Sequence, residues 1–227
     1  MEPAYTVKRS ARRKKLTITV ERDRSVVVHA SETTSDEAIR EIMKSRWQWI
    51  QDKTRHAQKL SELPHPPGKE LVNGESALYL GRQYQLEIVQ HGGSEIQLDR
   101  RFLIPASATG KRKGVLRGWY VKKANEKILP RVESLAHELG VKYGRARITD
   151  SRYRWGSCTA KDNVNLNWRL IKAPMHVIDY VIVHELAHLL EANHTSRFWN
   201  IVRTQSPKMA AARLWLKDHG QILQEEV

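Results

Sequence analysis

Val181-Ile182-Val183-His184-Glu185-Leu186-Ala187-His188-Leu189-Leu190, followed by Glu191-Ala192-Asn193-His194, is the stretch on which the reading of this chain turns. His184 and His188 stand four residues apart. On an α-helix that spacing stacks two imidazoles on one face, one turn from each other. Glu185 is rotated about 100° from His184 around the same helix, which sets its carboxylate beside an ion held by the two rings rather than on it. Two neutral imidazoles leave zinc short of protein ligands, and a catalytic site takes three with one position open to water. His194 can be the third if the helix stops soon after Leu190 and the chain turns back. Asn193 is the residue expected to make that turn, because Asn tolerates the left-handed conformation at a helix C-terminus.

HExxH is a short pattern that also arises by chance in ordinary helices, where two histidines at this spacing simply pack. The surroundings decide between the readings. Val177, Ile178, Tyr180, Val181, Ile182, Val183, Leu186, Leu189 and Leu190 make this helix apolar nearly all round, the mark of a buried helix. A buried polar group without a partner costs roughly 1–3 kcal/mol. Three histidines and a glutamate in such a segment therefore call for a metal or for hydrogen bonds.

The 227 residues allow one large domain or two small ones. The formal net charge is +14, and it is uneven: residues 1–105 carry 18 basic and 14 acidic groups, residues 106–227 carry 21 and 11, and residues 111–154 alone carry 13 and 4. Such a field suits an anionic partner, nucleic acid, nucleotide or an acidic protein, or is merely a solvated helix face. Cys158 is the only cysteine, so no intramolecular disulfide can form. The first residues carry charge and lack a signal-like apolar run, and no stretch reaches the roughly 18 apolar residues of a membrane span. A cytoplasmic protein with no membrane segment is expected.

From the N-terminus, Tyr5–Val7 reads as a strand, and the basic run from Lys8 to Lys15 as a solvated turn. Leu16–Val20 and Ser25–His29 read as a β-hairpin. Thr34 and Glu37 form a capping-box pattern for a helix running to about Leu60, with Ile39, Ile42, Met43, Trp47 and Ile50 as its apolar stripe. Pro64, Pro66, Pro67 and Gly68 break the chain. Ala77–Leu80 and Tyr84–Val89 predict a second hairpin, extended by Ile96–Leu98 and Phe102–Ile104. Pro105–Gly114 reads as a basic, small-residue linker. Val115–Leu139 predicts a long helix, kinked or divided at Pro130 and capped at Gly140. Arg147–Thr149 and the alternating Asn163–Leu170 predict strands. Pro174 suits the start of the helix that carries the histidines. Thr195 or Ser196 caps a short helix, and Pro207 restarts a last one that closes near Gly220.

Further residues join the histidines in a wider pattern: Arg154-Trp155-Gly156-Ser157-Cys158, Leu166-Asn167-Trp168-Arg169-Leu170, Asp179-Tyr180-Val181, Asn193-His194 and Phe198-Trp199. With these, the chain resembles the YgjP-like metallopeptidases of the zincin superfamily, near the SprT and WLM groups. The N-terminal hairpins, the Trp47/Trp49 helix and Gly81-Arg82-Gln83-Tyr84 also look like that family's first domain, so the resemblance covers essentially the whole chain. It implies a zincin-like α+β catalytic domain; with the linker composition placing the boundary at 106–114, the expected fold class is α+β, a β-rich N-terminal domain with one long helix over residues 1–105 and the catalytic domain over 115–227. The resemblance matches His184, His188 and His194 to the family's metal positions and Glu185 to its catalytic acid/base. The three-histidine spacing also equals that of the metzincins, but Glu191 stands where those keep Gly, and no convincing Met-turn follows.

The chemistry expected is peptide hydrolysis assisted by zinc, with Ni²⁺, Co²⁺ or Mn²⁺ as other ions that three imidazoles accept. Glu185 takes a proton from the attacking water and returns it to the leaving amine. The Asn163–Leu170 strand is expected, from zincin architecture, beside the cleft as an edge for an extended peptide. Arg154, Ser157, Cys158 and Asn167 are candidates for the site's surroundings, or else hold a turn against the helix. Asp179 orients a ligand or caps a surface. Two rival functions differ in kind. A nucleoside triphosphate pyrophosphohydrolase would use the basic surface, but it lacks a P-loop-type glycine loop and the carboxylates of a two-metal site. A non-catalytic binding module with a structural metal would need a fourth ligand. A protease recruited to nucleic acid by its basic surface combines the two ideas.

Overall fold

A computed structural model describes residues 5–11, 13, 16–20, 26–55, 70–90, 93, 95–151 and 154–224. The chain divides into two compact units, Met1–Gln58 and Lys59–Val227.

In the first unit, β1 (Tyr5–Arg9), β2 (Thr17–Val20) and β3 (Val26–Ala30) form a sheet in the order β1-β3-β2. The expected hairpin pairs Thr17 with His29 and Val20 with Val26; its turn, residues 21–25, lies outside the described residues. β1 lies parallel on the other side of β3. With partners on both edges, β3 is buried at Val26, Val27, Val28 and Ala30, as a continuous apolar run should be. The helical segment differs from expectation in two places. Its N-cap is Ser35 rather than Thr34: the Ser35 side chain accepts from Ala38 N–H at 3.2 Å. And it is two helices, α1 (Asp36–Ser45) and α2 (Trp47–Arg55), broken at Arg46, where φ −104° and ψ 7° leave the helical basin. Residues 56–60, also expected as helix, lie outside the described residues. Ile39, Met43 and Ile50 close this unit's core over β3, whereas Trp49 is exposed. Arg9 of the basic run donates to the Ser31 and Thr34 carbonyls and pairs with Asp36, so its charge ties the strand to the start of α1.

In the second unit, β4 (Ser76–Tyr79), β5 (Arg82–Val89), β6 (Gln97–Leu98) and β7 (Phe102–Pro105) form a sheet in the order β4-β5-β7-β6. The helix α3 (Arg112–Leu139) is one continuous element despite Pro130, and Gly140 caps it at φ 68°. Pro130 forfeits one backbone hydrogen bond, but Ile128, Val132 and Leu135 around it are buried, and packing outweighs that loss. Then come β8 (Ala146–Thr149), β9 (Gly156–Cys158) and β10 (Val164–Asn167), in the order β8-β10-β9. A 3-10 turn at Trp168–Lys172 leads to α4 (Met175–Ala187), α5 (Ser196–Gln205) and α6 (Met209–Gln224).

The boundary expected at 106–114 is not where the units divide. Those residues form a 3-10 turn (Ala106–Ala108) and the first turn of α3, and the β4–β7 sheet belongs to the same core as α3 and α4. Phe102 stacks edge-on to Trp119 at 5.0 Å, and buried Tyr120 donates its hydroxyl to the Leu78 carbonyl at 2.7 Å. Small and basic residues looked like a linker there; the apolar faces of β4, β5 and β7 needed α3 to cover them. The last helix likewise runs through Gly220 to Gln224, because Gly220 is buried where the Trp155 ring comes within 3.4 Å of a Cβ built on it. Among the described residues no helix is long and apolar enough to cross a membrane.

Candidate metal centre

α4 is rich in β-branched residues, which have modest helix propensity. It forms because nearly every side of it is covered: Val177, Ile178, Val181, Ile182, Val183 and Leu186 are all under 5 % exposed, against α3, α5, α6, β9 and β10. Its start is set by the β4–β5 turn. Leu80 and Gly81 N–H donate to the Ile171 and Lys172 carbonyls at 2.9 Å. Gly81, at φ 78°, sits so close to Pro174 that a Cβ would meet the ring at 2.5 Å. Asp179, a candidate for orienting a ligand, instead accepts both Nε (2.7 Å) and Nη2 (3.0 Å) of Arg131. That fork ties α4 to α3.

The far end of α4 tightens. Leu189 and Leu190 N–H bond to the carbonyls three residues back, Leu186 and Ala187, so the helix ends at Ala187, three residues earlier than expected. The chain then reverses without a left-handed residue: Asn193 is not among the positive-φ positions, and Thr195 N–H closes a tight turn on the Asn193 carbonyl at 2.8 Å. Thr195 caps α5 through Phe198 N–H. Starting α5 directly after His194 slides buried Phe198 under all three imidazoles, at ring distances of 5.0, 4.7 and 4.6 Å, and stacks Trp199 on His194.

His184, His188 and His194 are thereby brought together, with one ligand nitrogen of each within 4.8 Å of the others. The Nε2 atoms of His184 and His194 are 3.0 Å apart. Two nitrogens on a tetrahedral zinc at about 2.0–2.1 Å lie roughly 3.4 Å apart, so the cluster spans the right range. Glu191 contributes its carbonyl, 3.3 Å from His188 Nδ1. With a proton on Nδ1, that contact leaves Nε2 as an acceptor for the cluster. Burial, then the neighbouring His188 and His194, hold His184 down at about 4, and His194 is lowered for the same reasons. Neutral imidazoles are the form that ligates. The donor set therefore fits a divalent ion of borderline softness, zinc foremost.

Glu185, the residue after His184, is 7 % exposed. It lies against β9: a Cβ on Gly156 would meet Glu185 Cγ at 2.6 Å and Oε1 at 2.7 Å. Burial pushes its carboxyl up to about 7, opposed by the Cys158 backbone N–H that it accepts from and by the Arg154 charge. Cys158 itself is raised by burial and by Glu185, so its thiol stays protonated and serves packing. Asn167 holds the turn: its side-chain N–H₂ donates to the Ser151 and Arg154 carbonyls at 2.6 and 3.0 Å, and its oxygen accepts from Arg169 N–H. The Ser157 hydroxyl accepts from Asn165. The strand expected as an edge is corrected twice. It ends at Asn167, and β10 is the central strand, paired with β8 and β9. The edge strand beside Glu185 is β9. Pattern reading missed this because buried central and half-buried edge strands differ in partners, not in composition.

In the sequence, Tyr180 stands out only as an apolar helix position and as part of the Asp179-Tyr180-Val181 motif, and Arg213 does not stand out at all. Tyr180 is one turn before His184, with ring centroids 6.0 Å apart; the i, i+4 spacing that links the histidines also links these two. Arg213 comes from α6, its guanidinium 5.0 Å from the Trp199 ring, and no local spacing announces it. The basic segment 111–154 is in good part used by the fold: Arg117 pairs with Asp150, Lys122 with Glu95, Lys123 with Glu126, and Arg131 with Asp179.

Two histidines from one helical segment meet a third from the following turn inside a mixed α+β domain, a cluster that could hold a divalent metal ion. The chain belongs to the YgjP-like metallopeptidase family, whose metallopeptidase-domain model matches residues 14–219. No curated protein matches it. Among solved structures, it is similar to the metallopeptidase zymogens of Pyrococcus abyssi abylysin (22 % identity, 40 % of this chain and 93 % of that one, TM-score 0.35) and of Methanocaldococcus jannaschii jannalysin (19 %, 40 % and 94 %, TM-score 0.37).

Proposed function

We propose that this metallopeptidase hydrolyses peptide bonds with a zinc ion held by His184, His188 and His194, and with Glu185 as the general base. The observation that supports this most directly is the meeting of three imidazoles at the end of the helix that carries one buried carboxylate, Glu185. Zinc bound there supplies a Lewis acid and lowers the pKa of a water towards about 7. Glu185 is suited to the proton work. In the metal-free protein burial raises its carboxyl to about 7, a direction that favours taking a proton from water and releasing it to the leaving amine. Cys158 N–H fixes the carboxylate, and Gly156 leaves it the space to lie there. Phe198 and Trp199 wall the imidazoles with apolar rings, which strengthens each electrostatic contact inside. An extended peptide is taken to lie along β9, whose outer edge carries no strand among the described residues.

Metal content and casein hydrolysis, measured on the same preparations, test the reading. Glu185→Gln keeps the metal and loses turnover, while His188→Ala loses both. Full activity in metal-free protein, or turnover retained by Glu185→Gln, rejects it. A parallel assay for pyrophosphate released from nucleoside triphosphates separates peptide from phosphoanhydride hydrolysis.

A further inference from the structure

Beside the three histidines, a groove of about 490 Å³ is lined by Ser196, Trp199, Asn200, Arg203, Met209 and Arg213. Trp199 joins it to the metal centre. One side of the indole stacks on His194 at 5.5 Å, and the Arg213 guanidinium lies over the ring system at 5.0 Å. Arg213 is thus one aromatic ring away from a ligating imidazole.

The charges here do not balance. Arg117, Arg131 and Arg169 each meet an aspartate. Arg213 and Arg203 have no carboxylate partner among the described residues, and Arg203 donates only to the Asn200 side-chain oxygen, at 3.1 Å. On the other side of the helix Arg154 adds its charge near Glu185. Arg213 and Arg203 line the groove, Arg213 lies within charge range of His184, and a divalent ion on the imidazoles would add to this positive field. Such a field favours an anionic group on whatever binds. A guanidinium over a ring keeps its N–H donors available for a planar, two-oxygen partner, and the Asn200 amide and Ser196 hydroxyl stand beside it to complete a polar seat.

We propose that this groove is an anion subsite in which Arg213, supported by Arg203, binds a carboxylate of the peptide substrate. The carboxylate comes from an acidic side chain or from the peptide C-terminus. Arg213 is a substrate-binding residue here, and the proposal rests on the peptidase reading above.

The test is calorimetric binding to the full chain carrying Glu185→Gln and loaded with zinc, so that no turnover is needed. The probes are decapeptides of Ala and Leu bearing Glu or Gln at one of the four central positions, each with a free or an amidated C-terminus. The expected result is about tenfold tighter binding of the carboxylate-bearing peptide. A preference that follows the Glu residue assigns the side chain; one that follows the free terminus assigns the C-terminus. Adding Arg213→Gln brings that ratio to about one, and because the ratio is taken within one variant, a general loss of affinity cancels. Arg213→Glu, tested with Lys in place of Glu, inverts the preference. A ratio near one in the Arg213 protein, or a preference that survives Arg213→Gln, overturns the subsite. Separately, cleavage of the neutral peptides by the protein with Glu185 intact reports on the peptidase reading, so failure of the one is not mistaken for failure of the other.

Discussion

Gly156 leaves no room for a Cβ beside Glu185: the added atom would stand 2.6 Å from Glu185 Cγ. The close approach seats the carboxylate against the Cys158 N–H. Gly156→Ala should push the carboxylate off that seat while leaving the three imidazoles in place. The expected outcome is full metal content with kcat lowered on the order of 100-fold, the scale of an ångström's misplacement of a catalytic group. Metal analysis beside steady-state kinetics checks it; an unchanged kcat would contradict the placement.

Burial raises Glu185 to about 7 from an ordinary value near 4.5. The folded metal-free protein therefore binds a proton more readily at this group than the unfolded chain does. Stability from Glu185 is present below its unfolded pKa and is lost as pH rises from about 4.5 to about 7. His184, held at about 4 by burial, acts in the opposite sense, with stability lost as pH falls from about 6.5 to about 4. The Glu185→Gln substitution isolates the first effect. In metal-free protein it should raise the melting temperature at pH 8, by an amount corresponding to no more than about 3 kcal/mol, and change little near pH 4.5. An equal shift at both pH values would deny the burial penalty.

Arg154 lowers the Glu185 pKa through its charge. Arg154→Gln should move the Glu185 titration in metal-free protein further upwards. The pH dependence of the Glu185→Gln stability difference, measured in that background, reads the shift; no movement would place the Arg154 charge out of reach.

Metal binding to the folded cluster adds stability by mass action, about 2.7 kcal/mol at a free ion concentration one hundred times Kd. Zinc should therefore raise the melting temperature of the chelator-stripped protein in a concentration-dependent way. His194→Ala should blunt that rise, because the imidazoles of His184 and His188 remain without the ring from the following turn. A zinc response of unchanged size in His194→Ala would remove His194 from the ligand set.

Gly81 is at φ 78°, with Pro174 2.5 Å from any added Cβ. Gly81→Ala meets both a strained backbone and a ring that cannot retreat without moving the start of α4. A stability loss of roughly 2 kcal/mol or more is expected, whereas Gly74→Ala, at φ 88° with nothing within 4 Å, should lose only the backbone part. Chemical denaturation of the two variants side by side checks the difference.

What the amino-acid sequence determined by itself was whatever depends on neighbours a few residues apart. The i, i+4 histidines, Glu185 between them, the apolar helix surface, the Gly140 cap, a cap at Thr195 or Ser196 and both hairpins belong to this class, because helix period, strand alternation and capping are local geometry. Tertiary structure decided the rest. The arrival of His194 depended on how α4 ends and α5 begins, and it came by a tight turn at Asn193 rather than through a left-handed residue. The central place of β10, the edge place of β9, the Gly156–Glu185 contact and the approach of Arg213 from α6 all join residues far apart in the chain. Strand order and long-range packing follow from which apolar faces cover one another, and that choice leaves no fixed spacing to read. The same holds for residues 106–114, whose composition suggests a linker until the sheet before them is seen to need α3 to bury its face.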